Sequence, residues 1–306
     1  MFSDPISEIK ESSFNSFKFN EDITYLAKVE GFSRPEEIAY SEDMKDQNIL
    51  DLTGDKKKAI AFIDNVFFPF LFQNLSTIIL FYSKIQNRNI KLYVYLSREL
   101  IVEEDADWKK LKEFFITYLE DIGVEFEFLE KTSFDIIKID NMCILSDYFF
   151  PLGVASLGAR ARKYARNPEV VPFRKAFVAR KKELDQRIDS DEQIQKFFKE
   201  SGFEVVYPED FNTFLDQIKY FNECKVIAGI SGSGLLNCIF MKPGGTVIEL
   251  VSLFRPNGKN YPVEIHHYYI ILANMMKHLY FSVSNLSEKS DGIMNNKKAL
   301  EIIKML

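Results

Sequence analysis

The stretch from Val226 to Leu250 reads VIAGISGSGLLNCIFMKPGGTVIEL, and it joins two short apolar runs through a glycine turn. The first run, Val226–Ala228, is β-branched and bounded by glycine, as a buried strand would be. Mostly apolar residues follow the turn, enough for one or two helical turns, and Pro243 stops them. A second strand is predicted from Thr246, ending at Glu249. This order of strand, glycine turn, helix start and strand is typical of an α/β domain.

A glycine turn that opens a helix leaves backbone N–H groups pointing at one spot, with the positive end of the helix dipole behind them. Such a spot suits a phosphate. A carboxylate at the exit of the next strand, here Glu249, would accept hydrogen bonds from a ribose, as in other nucleotide folds. On spacing alone, a tight turn without a ligand is an equal alternative, because lone glycine patterns are weak signals.

The same stretch resembles the signature of glycosyltransferase family 61. Its pattern G-x-S-G-S-G-L-x-N-x-x-F-x-x-P-G-x-x-V-I-E-L is in register with the family's G-x-H-G-A-G-L-x-N-x-x-F-x-x-P-G-x-x-V-I-E. Phe177–Arg180, Arg187 and Gln217 also fit the family, and Tyr280 falls in its closing segment. The resemblance is clear over residues 175–283 and faint in the first half.

The resemblance implies an α/β protein of the GT-B type, with two Rossmann-like domains facing a cleft. Residues 1–160 would be an N-terminal, acceptor-side domain. Residues 161–306 would bind the nucleotide sugar, with the last helix free to return to the first domain. The implied activity is that of a hexosyl- or pentosyltransferase, inverting and metal-independent, which moves a sugar from a nucleotide sugar to a glycan or glycolipid hydroxyl in polysaccharide biosynthesis.

Alternation of strand and helix in both halves agrees with that fold class. In the first half we predict strands at 58–63, 91–96, 124–129, 136–139 and 142–145, and helices at 70–84 and 108–122. In the second half we predict strands at 175–179, 203–206, 226–228 and 247–250, and helices at 190–201, 213–222, 264–277 and 297–306. Residues 151–174, punctuated by Gly153 and Gly158, are predicted to be the junction. The basic turn at Arg160, Arg162, Lys163 and Arg166 is either a solvated face or a cleft edge that attracts an anionic donor or a lipid phosphate.

The resemblance also implies a set of donor-binding residues. They are Arg180, Arg187, Ser231, Gly232, Ser233, Gly234, Asn237 and Glu249. A guanidinium grips a diphosphate with two hydrogen bonds and neutralises charge on the leaving nucleotide, which would do a metal's work. We therefore expect no metal and no cofactor besides the donor.

The catalytic base is left unassigned by the sequence. Ser231 stands where the family has His, and it carries no charge near neutrality. A looser likeness begins at Asn65 and places Asn65 and Gln73 on the acceptor side. In it the family's second His falls at Pro69 and its acid at Gln73, and neither replacement can take a proton. Asp64 and His267 are the weak candidates for the base. A catalytically silent nucleotide-sugar-binding or partner subunit is therefore the alternative.

Composition excludes several other classes. The net charge of -6 argues against a nucleic-acid binder, which needs a basic face. Asp105 and Asp107 could be read as a metal-binding pair, but acidic residues at a helix start are explained by capping. A dinucleotide-binding oxidoreductase would need Gly-x-Gly-x-x-Gly, which the turn lacks.

The three cysteines lie in or beside apolar runs without metal spacing, so we expect buried thiols and a reducing compartment. The first residues lack a signal-peptide pattern, and no apolar run has the length of a membrane span. We therefore expect a cytoplasmic protein, with peripheral contact to the inner membrane as an open alternative. The oligomeric state is open.

Overall fold

The structure, a computed structural model, describes residues 25–28, 36–37, 49–54, 56–63, 68–84, 89–96, 106–130, 136–139, 142–145, 150–165, 170–179, 192–252, 264–285 and 297–306. The protein is α/β, with parallel-strand sheets. The chain divides into two compact units, and the division falls between Leu157 and Gly158. Within the described residues, no helix has the length and apolar character needed to cross a membrane.

The first unit contains two sheets. Its elements are β1 (Tyr25–Lys28), β2 (Glu36–Glu37), β3 (Ile49–Asp51), β4 (Lys58–Ile63), α1 (Phe68–Lys84), β5 (Lys91–Leu96), α2 (Ala106–Asp121), β6 (Phe126–Glu130), β7 (Ile136–Ile139) and β8 (Met142–Leu145). One sheet is parallel throughout, with strand order β6-β5-β4-β8. The other has the order β2-β1-β7-β3 and mixes antiparallel with parallel pairs.

The second unit has one sheet of five parallel strands in the order β10-β9-β11-β12-β13. Helix α3 (Phe150–Tyr164) runs across the division between the units. The remaining elements are β9 (Arg174–Val178), α4 (Glu192–Glu200), β10 (Glu204–Val206), a short 3-10 helix (Pro208–Asp210), α5 (Phe214–Asn222), β11 (Cys224–Ile230), a second 3-10 helix (Ser233–Phe240), β12 (Thr246–Ser252), α6 (Glu264–Met275), β13 (Leu279–Asn285) and α7 (Lys297–Met305).

Local signals explain most of these boundaries. Strands β4, β5, β7 and β8 have the predicted bounds. Pro69 lies in the first turn of α1, where its missing N–H costs no helical hydrogen bond. Gly202 follows the last turn of helix α4, and its φ of 81° belongs to the left-handed conformation that favours glycine. These parts of the prediction are confirmed.

Aromatic side chains fill one face of the second unit's sheet. Phe177 of β9 stacks on Phe198 of α4 with ring centroids 4.2 Å apart. Ile194 and Ile303, from α4 and α7, are buried in the same cluster. Glu249 of β12 and Tyr280 of β13, described below, belong to the other face of the sheet.

The division between the units falls within the predicted junction, residues 151–174, and the part of this segment up to Tyr164 is one continuous helix, α3. Its glycines are points of close packing. A Cβ on Gly153 would lie 2.8 Å from Ser76 Oγ, and a Cβ on Gly158 would lie 2.6 Å from the Ile239 carbonyl oxygen. Glycine lowers helix propensity by only about 1 kcal/mol, which close packing can offset.

Strand β13 was not predicted. Its sequence LYFSVSN does carry a signal, because Leu279, Phe281 and Val283 alternate with more polar residues. The strand pairs in parallel with β12 along seven positions, from Thr246 opposite Leu279 to Ser252 opposite Asn285. It places Tyr280 beside the site.

Candidate functional site

The glycine turn follows the central strand of the second unit's sheet. After β9 the chain adds β10 on one side of it, and then crosses to form β11 on its other side. The point where this direction reverses lies between β9 and β11. In open parallel sheets of this order, ligands bind outside the carboxyl ends of the strands at such a switch point. Residues 231–234 leave the carboxyl end of β11 at this place.

Two glycines let the turn close against the end of β9. A Cβ on Gly229 would lie 3.2 Å from the Val178 carbonyl oxygen, and a Cβ on Gly234 would lie 2.8 Å from Val178 Cγ1. Side chains at either position would push the turn away from the strand. The glycines are therefore explained by close approach at the switch point, and Arg180 follows Val178 by two positions in the chain.

The residues after the turn form a 3-10 helix, where the sequence predicted one or two helical turns. The helix runs for eight residues, although 3-10 helices are usually shorter. Leu235 N donates to the Gly232 carbonyl at 3.0 Å, and Gly232, which precedes the helix, brings no side-chain cap. The helix thus begins at the switch point with its positive end towards the carboxyl edge of the sheet.

The buried carboxylate of Glu249 binds the first residue of the turn, Ser231. Ser231 Oγ donates to Glu249 Oε1 at 2.6 Å, and the Tyr280 hydroxyl donates to Glu249 Oε2. Glu249 is 0% exposed and Ser231 is 1% exposed. Burial, and after it the hydrogen bond with Glu249, raise the pKa of Tyr280, so its hydroxyl keeps the proton that it donates.

The predicted position of Glu249 at the end of its strand is wrong, because β12 continues to Ser252. The side chain accepts hydrogen bonds from Ser231 and Tyr280, and it has no exposed surface for a ribose. Sequence reasoning ended the strand at this charged residue, although the apolar Leu250 and Val251 continue it and pair with β13.

A second polar pair fixes the other end of the turn. Asn237 Nδ2 donates to the Gly234 carbonyl at 2.8 Å, and Gln217 Nε2 of α5 donates to Asn237 Oδ1 at 2.6 Å. Both side chains are buried. The family resemblance had pointed to these two residues, and the structure brings them together on the turn. Asn237 acts on the turn through its own hydrogen bond to Gly234.

Several predicted site residues lie outside the described residues. These are Asp64, Asn65, Asp105, Arg180 and Arg187. Gln73 lies in α1, Asp107 in α2 and His267 in α6, and only their backbone positions are described. The part of the chain that the structure describes contains no cluster of three or more His, Cys, Asp or Glu residues that could hold a metal ion.

The cysteines are buried thiols, as predicted. Burial raises the pKa of Cys143 to about 12 and that of Cys238 to about 12. Cys224 is also buried, and burial raises its pKa too. A thiol must ionise to act as a nucleophile, so none of the three is suited to that role near neutral pH.

Together, the parallel sheet, the switch point and the glycine turn define an α/β protein compatible with a Rossmann-like glycosyltransferase. Residues 136–248 match the model of the family described as Glycosyltransferase 61. The match confirms the resemblance stated above and supports a glycosyltransferase. It covers the whole turn and its 3-10 helix, whereas Glu249 and Tyr280 lie beyond it. No curated protein matches the chain.

Proposed function

We propose that the protein transfers a hexosyl or pentosyl group from a nucleotide sugar to a hydroxyl of a glycan or glycolipid in polysaccharide biosynthesis. The observation that carries the proposal is the glycine turn, which closes on the end of β9 at the switch point of a parallel sheet. The donor's diphosphate would lie against this turn, where backbone N–H groups and the start of the 3-10 helix attract negative charge.

The proposal assigns the polar residues two kinds of role. Arg180 and Arg187 would bind the diphosphate and stabilise the departing nucleotide. Ser231, Asn237 and Glu249 would hold the turn in shape, which their burial and hydrogen bonds support. The backbone of Gly232, Ser233 and Gly234 would meet the phosphates.

In this proposal the first unit binds the acceptor and supplies the catalytic base. The GT-B arrangement of the two units is part of the proposal as well. Asp64 follows Ile63, the last residue of β4, and Asn65 comes next. In the sheet order β6-β5-β4-β8 the switch point lies between β4 and β8, so the carboxyl end of β4 belongs to the ligand-binding edge. A carboxylate there would take the proton of the attacking hydroxyl. Gln73 and His267 remain acceptor-side and base candidates.

A catalytically silent nucleotide-sugar-binding or partner subunit is the second candidate. It is favoured by Ser231, which replaces the family's His and which is buried against Glu249, so that this position offers no exposed ionisable group. For the transferase and for the silent subunit alike, we propose a location in the cytoplasm, with or without contact to the inner membrane.

Nucleotide binding and nucleotide release separate the two candidates. Thermal-shift measurements with a panel of nucleoside diphosphates and nucleotide sugars would find the donor, because a ligand that binds the folded state raises its stability. Release of nucleotide that accelerates with a glycan or glycolipid acceptor supports the transferase. Binding without release supports the silent subunit, and no stabilisation by any nucleotide contradicts both. Metal independence predicts an unchanged rate in EDTA.

Two glycine variants test where the nucleotide binds. Gly234→Ala places a Cβ 2.8 Å from Val178 Cγ1 and should weaken binding of the nucleotide found in the panel. Gly245→Ala is the matched control, because it crowds Met241 Cε at 2.4 Å near the start of β12, away from the turn. We expect both variants to lose stability and only Gly234→Ala to lose affinity beyond that. Equal affinities would remove the turn from the site.

A further inference from the structure

Three successive carbonyl groups at the end of the 3-10 helix Ser233–Phe240 each receive a side-chain hydrogen bond. The His278 Nε2 atom lies 3.0 Å from the Cys238 carbonyl oxygen. Arg162 Nη1 of α3 donates to the Ile239 carbonyl, and Asn222 Nδ2 of α5 donates to the Phe240 carbonyl at 3.0 Å. These side chains come from α3, from α5 and from the residue before β13, and we call them the carbonyl cap.

The helix needs such a cap because it is buried. Leu235 to Phe240 are all buried, and the carbonyls at the end of a helix run short of intrahelical donors. The Cys238 carbonyl also accepts from Met241 N at 3.2 Å, so its contact with His278 is a second one. Gly158 permits the approach of α3, since a Cβ there would lie 2.6 Å from the Ile239 carbonyl oxygen. Arg162 lies one turn further along the same face of α3 and reaches that carbonyl.

Arg162 is the charged member of the carbonyl cap. Asn222 is neutral, and burial lowers the pKa of His278 to about 4, so His278 is neutral near pH 7. Arg162 also lowers the pKa of His278, which places its charge close to the end of the helix. A positive charge at this end offsets the partial negative charge of the helix C-terminus. The electrostatic potential at the other end, by the glycine turn, is then more positive.

We infer that Arg162 is a positioning residue for the donor's diphosphate, acting through the 3-10 helix from the end opposite the turn. The inference rests on the proposed function. Eight residues at a rise of ~2 Å place the guanidinium about 16 Å from the turn. A unit charge at that distance in a partly buried setting corresponds to roughly a three- to tenfold effect on the affinity for an anion.

The test compares Arg162→Gln with Arg162→Lys, using inorganic pyrophosphate as a probe without base or sugar and calorimetry as the measurement. Gln keeps an N–H donor and removes the charge, whereas Lys keeps both. We expect Arg162→Gln to bind pyrophosphate roughly three- to tenfold more weakly and Arg162→Lys to bind within about twofold of wild type. Lys163→Gln is the matched control, since it removes the same charge from an exposed neighbour and should leave affinity unchanged.

Other outcomes overturn the inference. Equal losses in Arg162→Gln and Lys163→Gln would show a general effect of net charge, and an unchanged Arg162→Gln would show a structural cap alone. Should Arg162→Gln fail to fold, Asn222→Ala decides, because it removes one carbonyl donor and no charge. We expect it to lower Tm without changing affinity, and a loss of affinity would overturn the inference. Wild type that binds neither pyrophosphate nor any nucleotide would instead contradict the proposed function.

Discussion

The two parallel sheets of the molecule differ most at their switch points. In the second unit the strand at this point, β11, is followed by glycines and a 3-10 helix. In the first unit one of the two strands that flank this point, β4, is followed in the sequence by Asp64 and Asn65. Glycines let a backbone approach an anion, whereas a carboxylate repels one and accepts a proton. This difference in sequence between the two units is the basis for proposing separate donor and acceptor subsites.

The largest expected effect concerns Asp64, in the first unit. Asp64→Asn should lower the rate of sugar transfer by about 10²–10⁴-fold, because it removes the proposed base, and it should leave nucleotide binding unchanged. The measurement is kcat with saturating donor and acceptor. Asp51→Asn is the control, since Asp51 is an exposed carboxylate at the end of β3. A full rate in Asp64→Asn would move the base to His267 or to another group.

Acid should destabilise the second unit, where all three histidines of the chain lie. His278 is 5% exposed, its Nδ1 has no hydrogen-bond partner among the described residues, and burial lowers its pKa from 6.5 to about 4. Because the unfolded chain binds the proton first, the stabilising contribution is complete above pH 6.5 and is lost as pH falls through about 4.

The loss should amount to roughly 3 kcal/mol of unfolding free energy, and denaturant titrations between these pH values would measure it. His278→Gln should flatten this part of the pH dependence and should lower stability near neutral pH. A variant with the wild-type pH profile would show that another group is responsible.

Arg180→Ala should weaken binding of a nucleoside diphosphate by roughly 1.5–3 kcal/mol, the scale of a hydrogen bond to a charged group. Calorimetry with the nucleotide found in the panel is the measurement. Arg174→Ala is the control at the opposite end of β9, where Arg174 pairs with Glu204 and Glu223. We expect this control to lose stability and not affinity. Unchanged affinity in a folded Arg180→Ala variant would remove Arg180 from the site.

Glu249→Gln should lower the unfolding free energy by about 1–3 kcal/mol, because one of its two hydroxyl donors loses its acceptor in a buried place. The loss of nucleotide affinity should be smaller and equal for a ribonucleotide and its dideoxy analogue. A loss confined to the ribonucleotide would restore the direct ribose contact and would require Glu249 to become exposed on binding.

Particular residues show how far prediction from sequence reaches here. The bounds of β4 and β5 follow from short apolar runs, and Thr213 caps α5, so these elements are encoded within a few residues. The glycine pattern similarly indicated the turn, and the family match agrees with it. The packing role of Gly158 could not be read from the sequence, because it depends on Ile239, which lies far along the chain.

The sequence by itself therefore determined the class of fold, most strands and helices, and the stretch that carries the candidate donor site. These features depend on local propensity and hydrophobic periodicity, which can be read from residues close together in the sequence. Only the tertiary structure decided that Glu249 is enclosed by Ser231 and Tyr280, and that Arg162 caps the helix behind the turn. Those roles arise from strand order and close packing between distant segments, because a buried polar group is given its partner by the fold and not by its neighbours in the chain.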